Sequence, residues 1–370
     1  MRYRRMPIEI ESPEQMGYDM IRNNLSESSY TDMRLGALAP DLQELVLSYG
    51  NHVGHEGLRE LLAKESSILA KEQVLLTAGA AGALFIIASS LLENKDEIVV
   101  VRPNYATNIE TPRALGASVK YIDLRFEDGW RIDMKALKKA VGKKTKYISV
   151  THPHNPTGVC LDEEDMRELV RIAEKNNVWL LVDETYRDMA FGQKLPVACD
   201  YSDKVISVSS LSKTYGLPGI RMGWICCRDK KLMETFLAAK EQIHICCSIL
   251  DETIAYHYLL QKDRFYPAII SDIREKFAIV RQWMEEQDGF EWIAPQGGVV
   301  CFPRIKRPFE VDVDMFYEVL LKEHGTYVGP GHWFEMPRHY LRVGFGWPSK
   351  QELAAGLQAL GQSLDAATLI

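Results

Sequence analysis

Nothing in this 370-residue chain is long and apolar enough to span a bilayer as a helix. Its longest apolar run, Leu84 to Leu92, falls well short of the roughly 20 residues required. The basic start, Arg2, Arg4 and Arg5, is interrupted by Pro7 and by acids and leads into no apolar stretch, so no secretory leader is expected. Positive charge is not in excess. The formal net charge is −7, which argues against nucleic acid or an anionic membrane as a partner. The seven cysteines are odd in number and show no C-x-x-C spacing: Cys160, Cys199, Cys301 and the pairs Cys226-Cys227 and Cys246-Cys247. Reduced core thiols in a cytoplasmic compartment are expected, with no metal site. No internal repeat or low-complexity segment is visible.

What is present reads as an ordinary globular protein, 46% hydrophobic and 26% charged. At this length the expectation is two or three domains, or a large one with a smaller companion. The middle of the chain alternates short apolar runs with amphipathic stretches such as Glu163–Asn176. Strands are predicted at Gln73–Thr77, Glu97–Arg102, Ser118–Asp123, Lys146–Thr151, Val178–Asp183, Lys204–Ser209 and Gly223–Cys227. Continuous apolar strands separated by helices indicate an α/β fold with a mostly parallel seven-stranded sheet covered by helices. In open α/β sheets ligands bind at the carboxyl ends of strands. Gly79, Asn104–Tyr105, Asn155, Asp183 and Ser210–Lys213 fall at five such ends and can converge on one pocket.

After about Leu250 the pattern changes. Helical stretches Leu250–Gln261 and Tyr266–Gln287 precede short strands near Phe290–Ile293, Gly298–Pro303 and His339–Val343, and a last helix is predicted over Ser349–Ala366. This reads as a smaller α+β domain. The expected division is an irregular N-terminal arm (1–35) packed with the small domain, a large domain (36–255) and a small C-terminal domain (256–370).

Lys213 stands out chemically. It follows the apolar strand Val205-Ile206-Ser207-Val208, sits among Ser209, Ser210, Ser212 and Thr214, and precedes the turn Gly216-Leu217-Pro218-Gly219. A lysine in so constrained a loop suits Schiff-base formation with an aldehyde, whereas a lysine taken at random is a surface residue. Ser210, Ser212 and Arg221 suit a phosphate cup; read alone, the serines cap a turn and Arg221 is a surface residue. Gly79-Ala80-Ala81 opens a helix after a strand, where backbone N–H groups approach phosphate; small residues there also serve close helix–sheet packing. Asp183 ends an apolar strand and needs a charged partner if buried, or else serves as a helix cap or in a salt bridge. Arg342, in Tyr340-Leu341-Arg342-Val343-Gly344, reads as an inward-facing carboxylate clamp or a buried ion pair.

These residues lie in seven segments: Tyr49-Gly50 with Gly57-Leu58-Arg59-Glu60, Thr77-Ala78-Gly79-Ala80-Ala81, Pro103-Asn104-Tyr105, His154-Asn155-Pro156-Thr157-Gly158, Asp183-Glu184-Thr185-Tyr186, Ser210-Leu211-Ser212-Lys213 with Arg221-Met222-Gly223, and Leu341-Arg342-Val343-Gly344-Phe345. Their order resembles that of the fold-type-I, pyridoxal-phosphate-dependent enzymes of the class I/II aminotransferase family, from about Leu42 to the end. The resemblance implies pyridoxal 5'-phosphate as cofactor and Lys213 as the Schiff-base lysine that also carries the substrate proton. It implies Asp183 against the pyridine nitrogen, and Tyr186 and Asn155 at the phenolic oxygen. Tyr105 would stack on the ring, although an ordinary packing role or, for Asn155, a turn role is equally readable from the residues alone. Gly79, Ala80, Ala81, Ser210, Ser212 and Arg221 would hold the phosphate, and Arg342 with Asn155 the substrate carboxylate. Tyr49 would reach the phosphate of a neighbouring subunit, which implies a homodimer with shared active sites.

Departures from the family pattern cluster where a substrate side chain is expected. Asn24-Leu25-Ser26-Glu27-Ser28-Ser29-Tyr30 lacks the usual glycine, His152 and His154 flank Pro153, and Trp333 follows Gly331-His332. Glu27, Ser28, Tyr30 and Trp333 are candidate side-chain contacts, and an acid at Glu27 favours a polar or cationic substrate. The expected activity is transfer of an amino group from an amino acid to a 2-oxo acid. The nearest rival is a lyase, oxidase or cyclase with the same cofactor. A nicotinamide oxidoreductase would need a fuller glycine fingerprint than Gly79-x-x-Gly82, and a non-catalytic binding module leaves Lys213 unexplained.

Overall fold

The computed structural model describes residues 1–369. Thirteen strands are formed among them: β1 (Asn23–Leu25), β2 (Val74–Ala78), β3 (Glu97–Arg102), β4 (Ser118–Asp123), β5 (Thr145–Thr151), β6 (Trp179–Asp183), β7 (Val205–Ser210), β8 (Met222–Cys227), β9 (Phe290–Glu291), β10 (Val300–Cys301), β11 (Arg304–Ile305), β12 (Thr326–Pro330) and β13 (Leu341–Gly344). Seven of them build one sheet in the order β2-β8-β7-β6-β5-β3-β4. The run from β4 to β7 is parallel, and β8 is antiparallel to both neighbours. Strands such as Ile98–Val101 and Leu180–Val182 are buried throughout, because helices cover both faces and leave no polar side to alternate with.

The reversal of β8 is what completes the site edge. Its first residue, Met222, pairs with Ala78 at the carboxyl end of β2, and Gly223 pairs with Ser210 at the carboxyl end of β7. Arg221, just before β8, therefore lies on the same edge as the ends of the other six strands. Arg221 itself has φ +38°, a left-handed conformation that turns the chain into the strand. Gly223 has no room for a side chain: a Cβ there would lie 2.4 Å from the Gly79 carbonyl carbon.

A second sheet runs β1-β12-β13-β10, with β1 parallel to β12 and β13 antiparallel to β12 and β10. The helices Lys262–Glu286, Val313–Lys322 and Lys350–Ala367 bury an apolar face against it, through residues such as Ile273, Phe316, Leu357 and Leu360. The N-terminal segment is not irregular as expected. It contains the helices Pro7–Glu11 and Pro13–Met16, each with proline at its first position, and then β1, paired with residues 326–328. No helix among the described residues is long and apolar enough to cross a membrane.

Candidate active site

The strand ends open on a cleft of about 480 Å³ lined by Ala80, Ala81, Tyr105, Asn155, Asp183, Tyr186, Ser210, Ser212, Lys213, Arg221 and Arg342. Eleven residues from six separate segments thus share one cavity. Gly79 lies just behind, with φ +71°; a Cβ on it would sit 2.6 Å from Arg221 Nη2, so only glycine lets the guanidinium approach the start of the helix Gly79–Leu91. Arg221 Nη1 also donates to Ser212 Oγ at 3.3 Å and to the Pro218 carbonyl at 2.7 Å. Guanidinium, two hydroxyls and a helix N-terminus therefore occupy one end of the cleft.

Lys213 occupies the middle. Its Nζ donates to Ser28 Oγ at 3.1 Å, and its carbonyl accepts from the Tyr30 N–H at 2.9 Å. Burial depresses the amine below the ordinary lysine range, with Glu27 opposing. Asp183 is buried, and both of its side-chain hydrogen bonds come from Thr185 to a single oxygen: the N–H at 3.1 Å and Oγ1 at 2.6 Å. No cation forms a salt bridge with it among the described residues. Burial accordingly pushes its carboxyl above the usual range, against the pull of Thr185 and Lys213.

Arg342 closes the far side, only 4% exposed. Nη1 donates to Asn155 Oδ1 at 3.2 Å and Nη2 to the Ser26 carbonyl at 2.7 Å, while Nε has no partner. Three of its five guanidinium N–H donors have no partner among the described residues. The Phe334 ring lies 5.0 Å from its guanidinium carbon. Gly344 explains the end of the Arg342-Val343-Gly344 motif: a Cβ there would collide with the Glu27 carbonyl oxygen at 1.8 Å. The 26–30 segment crosses β13 at that point, which carries Glu27 and Ser28 into the cleft.

Several expected positions differ. His152 and His154 do not line the cleft. The His152 ring accepts from the Leu161 N–H at 3.0 Å, and His154 contacts Thr157 Oγ1 at 2.8 Å and faces a neighbouring cavity. Burial lowers both imidazoles to about 4, so they stay neutral structural groups. Tyr30 also lies off the cleft, with Lys276 5.3 Å from its ring. Tyr186 lines the cleft, yet its hydroxyl donates to the Ser28 carbonyl at 2.8 Å, and burial pushes its phenol up to about 12. Tyr49 is 81% exposed and absent from its own chain's cleft. Sequence reasoning missed Ile8, Ser12, Pro13 and Glu14, which roof the cleft from the N-terminal segment. Glu11 anchors that roof, accepting from Trp333 Nε1 at 2.7 Å.

Known proteins resemble this chain over nearly its whole length. The model of aminotransferase class I and II matches residues 24–360. The chain belongs to that family. The match begins earlier than the resemblance placed at Leu42 and takes in β1 and the Glu27 segment. Capreomycidine synthase of Streptomyces vinaceus is 30% identical over 94% of this chain and 91% of its own length. An aspartate aminotransferase of Sulfurisphaera tokodaii is 25% identical over 89% and 85%. The structure of a PLP-dependent aminotransferase from Streptococcus suis superposes with a TM-score of 0.92 at 29% identity, covering all of both chains.

The cofactor of this family is pyridoxal 5'-phosphate, and the residues present fit it. Asp183 is a buried carboxylate without a cation, suited to a protonated ring nitrogen. The close approach of Gly79 to Arg221 leaves a cradle that a Cβ would fill. Lys213 lies in the same cavity with a depressed amine, as condensation with an aldehyde requires.

Proposed function

We propose that this enzyme transfers the amino group of an amino acid to a 2-oxo acid. The single observation that supports the reading most is the shared cleft of Lys213, Asp183 and Arg342. Pyridoxal phosphate, when bound, supplies an aldehyde for the amine and a ring that accepts the electron pair left at Cα. Arg221, Ser210, Ser212 and the N–H groups of Ala80 and Ala81 hold the phosphate. Asp183 would hold a proton on the ring nitrogen, and Tyr105 would pack against the ring. Arg342 grips the substrate carboxylate and, with Asn155, fixes the Cα–H bond in line with the lysine. The Lys213 amine would take the proton from Cα and deliver it, across the shared nitrogen, to the carbon of the former aldehyde. A positioned base of this kind contributes roughly 10²–10⁴-fold.

A second reading has one observation in its favour, the likeness to capreomycidine synthase. Removal of the same Cα proton also permits loss of a β substituent and ring closure, with no acceptor consumed. A single-turnover experiment separates the two. One equivalent of 2-oxo acid per loaded site, formed without an acceptor, supports transamination. A product of closed ring that has lost its β substituent and kept its amine supports the second reading and overturns the first.

The exposed Tyr49, with exposed Val46 and Leu47 beside it, supports a homodimer in which this segment meets the partner's phosphate site. Sedimentation of Tyr49→Ala and titration of its cofactor content test this. A monomeric wild type, or unchanged cofactor affinity in the variant, rejects it.

A further inference from the structure

Once the roles above are distributed, the cleft has three acids left over, Glu9, Glu14 and Glu27. Lys213 and Asp183 face the ring, Arg221 the phosphate and Arg342 the carboxylate. Glu9 is spent as a helix cap, accepting from the Met6 N–H at 2.7 Å. Glu27 and the exposed Glu14 form no salt bridge with any lysine, arginine or histidine among the described residues. Glu27 is half-buried, and its only side-chain hydrogen bond is a long one from Asn24 Nδ2 at 3.5 Å. A carboxylate withdrawn from water without a cation is costly, and a second carboxylate nearby increases that cost. Among the described residues the cations lining the cleft are Lys213, Arg221 and Arg342, each with its own task. The same wall carries Trp333, Ile8 and Pro13, which suit an alkyl chain leading to a charged head. The buried Arg342, its Nε unpartnered, marks where the α-carboxylate end of such a ligand lies.

We propose that the substrate is an amino acid with a cationic side chain, a guanidinium or an ammonium, held by Glu27 and Glu14. This rests on the reading that Arg342 and Lys213 receive the α-carboxylate and α-amine. Glu27 is held by the chain crossing over Gly344, whereas Glu14 comes from the helix Pro13–Met16 of the roof. Binding a cationic side chain thus ties the roof to the body. The two acids are specificity residues and take no part in proton transfer.

The test uses the cofactor-loaded enzyme and reads binding, not turnover. Dissociation constants come from the visible absorbance change, and thermal midpoints are read at matched concentrations. The probes are arginine, its neutral isostere citrulline, lysine and glutamate. Arginine or lysine is expected to bind about 10- to 100-fold more tightly than citrulline, the range for a hydrogen-bonded charge. Glu27→Gln is expected to remove most of that ratio, and Glu14→Gln a few-fold. If Glu27→Gln fails to fold, Glu14→Gln and the wild-type ratio carry the test. Citrulline or glutamate binding as tightly as arginine overturns the proposal while leaving the catalytic reading intact. A ratio unchanged in both variants overturns it as well. A loaded enzyme that binds no α-amino acid at all overturns both.

Discussion

Asp183 and Asp188 are five residues apart, both buried, and opposite in kind. Asp188 lies in a closed network. It accepts from Lys262 Nζ at 2.9 Å, Lys194 Nζ at 3.1 Å and the Tyr215 hydroxyl, with Arg187 at 3.4 Å. Glu65 joins the same cations. Burial pushes the Asp188 carboxyl up, yet Lys262, Arg187 and Lys194 hold it well below the usual range. Asp183 has two contacts from Thr185, no cation, and a carboxyl pushed above the usual range by burial. Buried charge that is fully paired serves the fold. Buried charge left open serves a ligand.

The most severe test of the open side of this comparison is Lys213→Ala. Loss of the only lysine lining the cleft is expected to cut turnover by at least about 10³-fold and to remove the visible band of the lysine-bound cofactor. Single-turnover kinetics and an absorbance scan check it. Retained activity would show that the open charges of this edge serve something else.

The closed side breaks at Asp188→Asn. Removing the charge leaves Lys262, Lys194 and Arg187 sharing Glu65 alone, and a broken buried pair costs about 3–5 kcal/mol. Urea denaturation measures it, and a stability equal to wild type would dissolve the distinction. Arg342→Ala sharpens the same contrast from the site. It is expected to raise KM for every amino acid tried, with a loss of about 2–4 kcal/mol in kcat/KM and little change in stability. Steady-state kinetics over several donors check that it acts on the shared carboxylate and not on one side chain.

The two networks were not equally legible in the sequence. Asp183 ends and Lys213 follows an apolar strand of the large sheet, whose topology brings such ends together, while Arg342 stands inside β13 of the second sheet, flanked by apolar residues. The seven strands of the large sheet read directly as apolar runs, since both faces are covered. The strand Thr326–Pro330 was missed, along with its partner Asn23–Leu25, because their pairing spans about 300 residues and leaves no local periodicity. The roof was missed for the same reason. Pro7 and Pro13 announce helix starts, but nothing near them says that Glu14 faces a lysine some 200 residues away. His152 and His154 were expected beside the substrate side chain, but the His152 ring is held by the Leu161 N–H and His154 by Thr157, facing a neighbouring cavity.

The smallest effect distinguishes the aspartates most cleanly, because it changes sign between them. In the cofactor-free protein Asp183 has a folded pKa above its unfolded value. The folded state then binds the proton more tightly, so its contribution is present below the ordinary carboxylate range and is lost as pH rises through the folded value. Asp183→Asn should therefore leave the cofactor-free protein as stable as wild type or slightly more so at neutral pH, by about 1 kcal/mol, and the difference should vanish in acid. Asp188 has a folded pKa below its unfolded value, so its contribution is present at neutral pH and fades as pH falls below the ordinary carboxylate range. Urea midpoints of the two asparagine variants and wild type, taken from pH 7 down to pH 2 without cofactor, give two difference curves. The Asp188 curve is a large loss of stability that shrinks toward acid. The Asp183 curve is a small gain that does the same. If both differences carry the same sign at neutral pH, Asp183 is a structural aspartate like its neighbour, and the open edge of the sheet is not held ready for a cation.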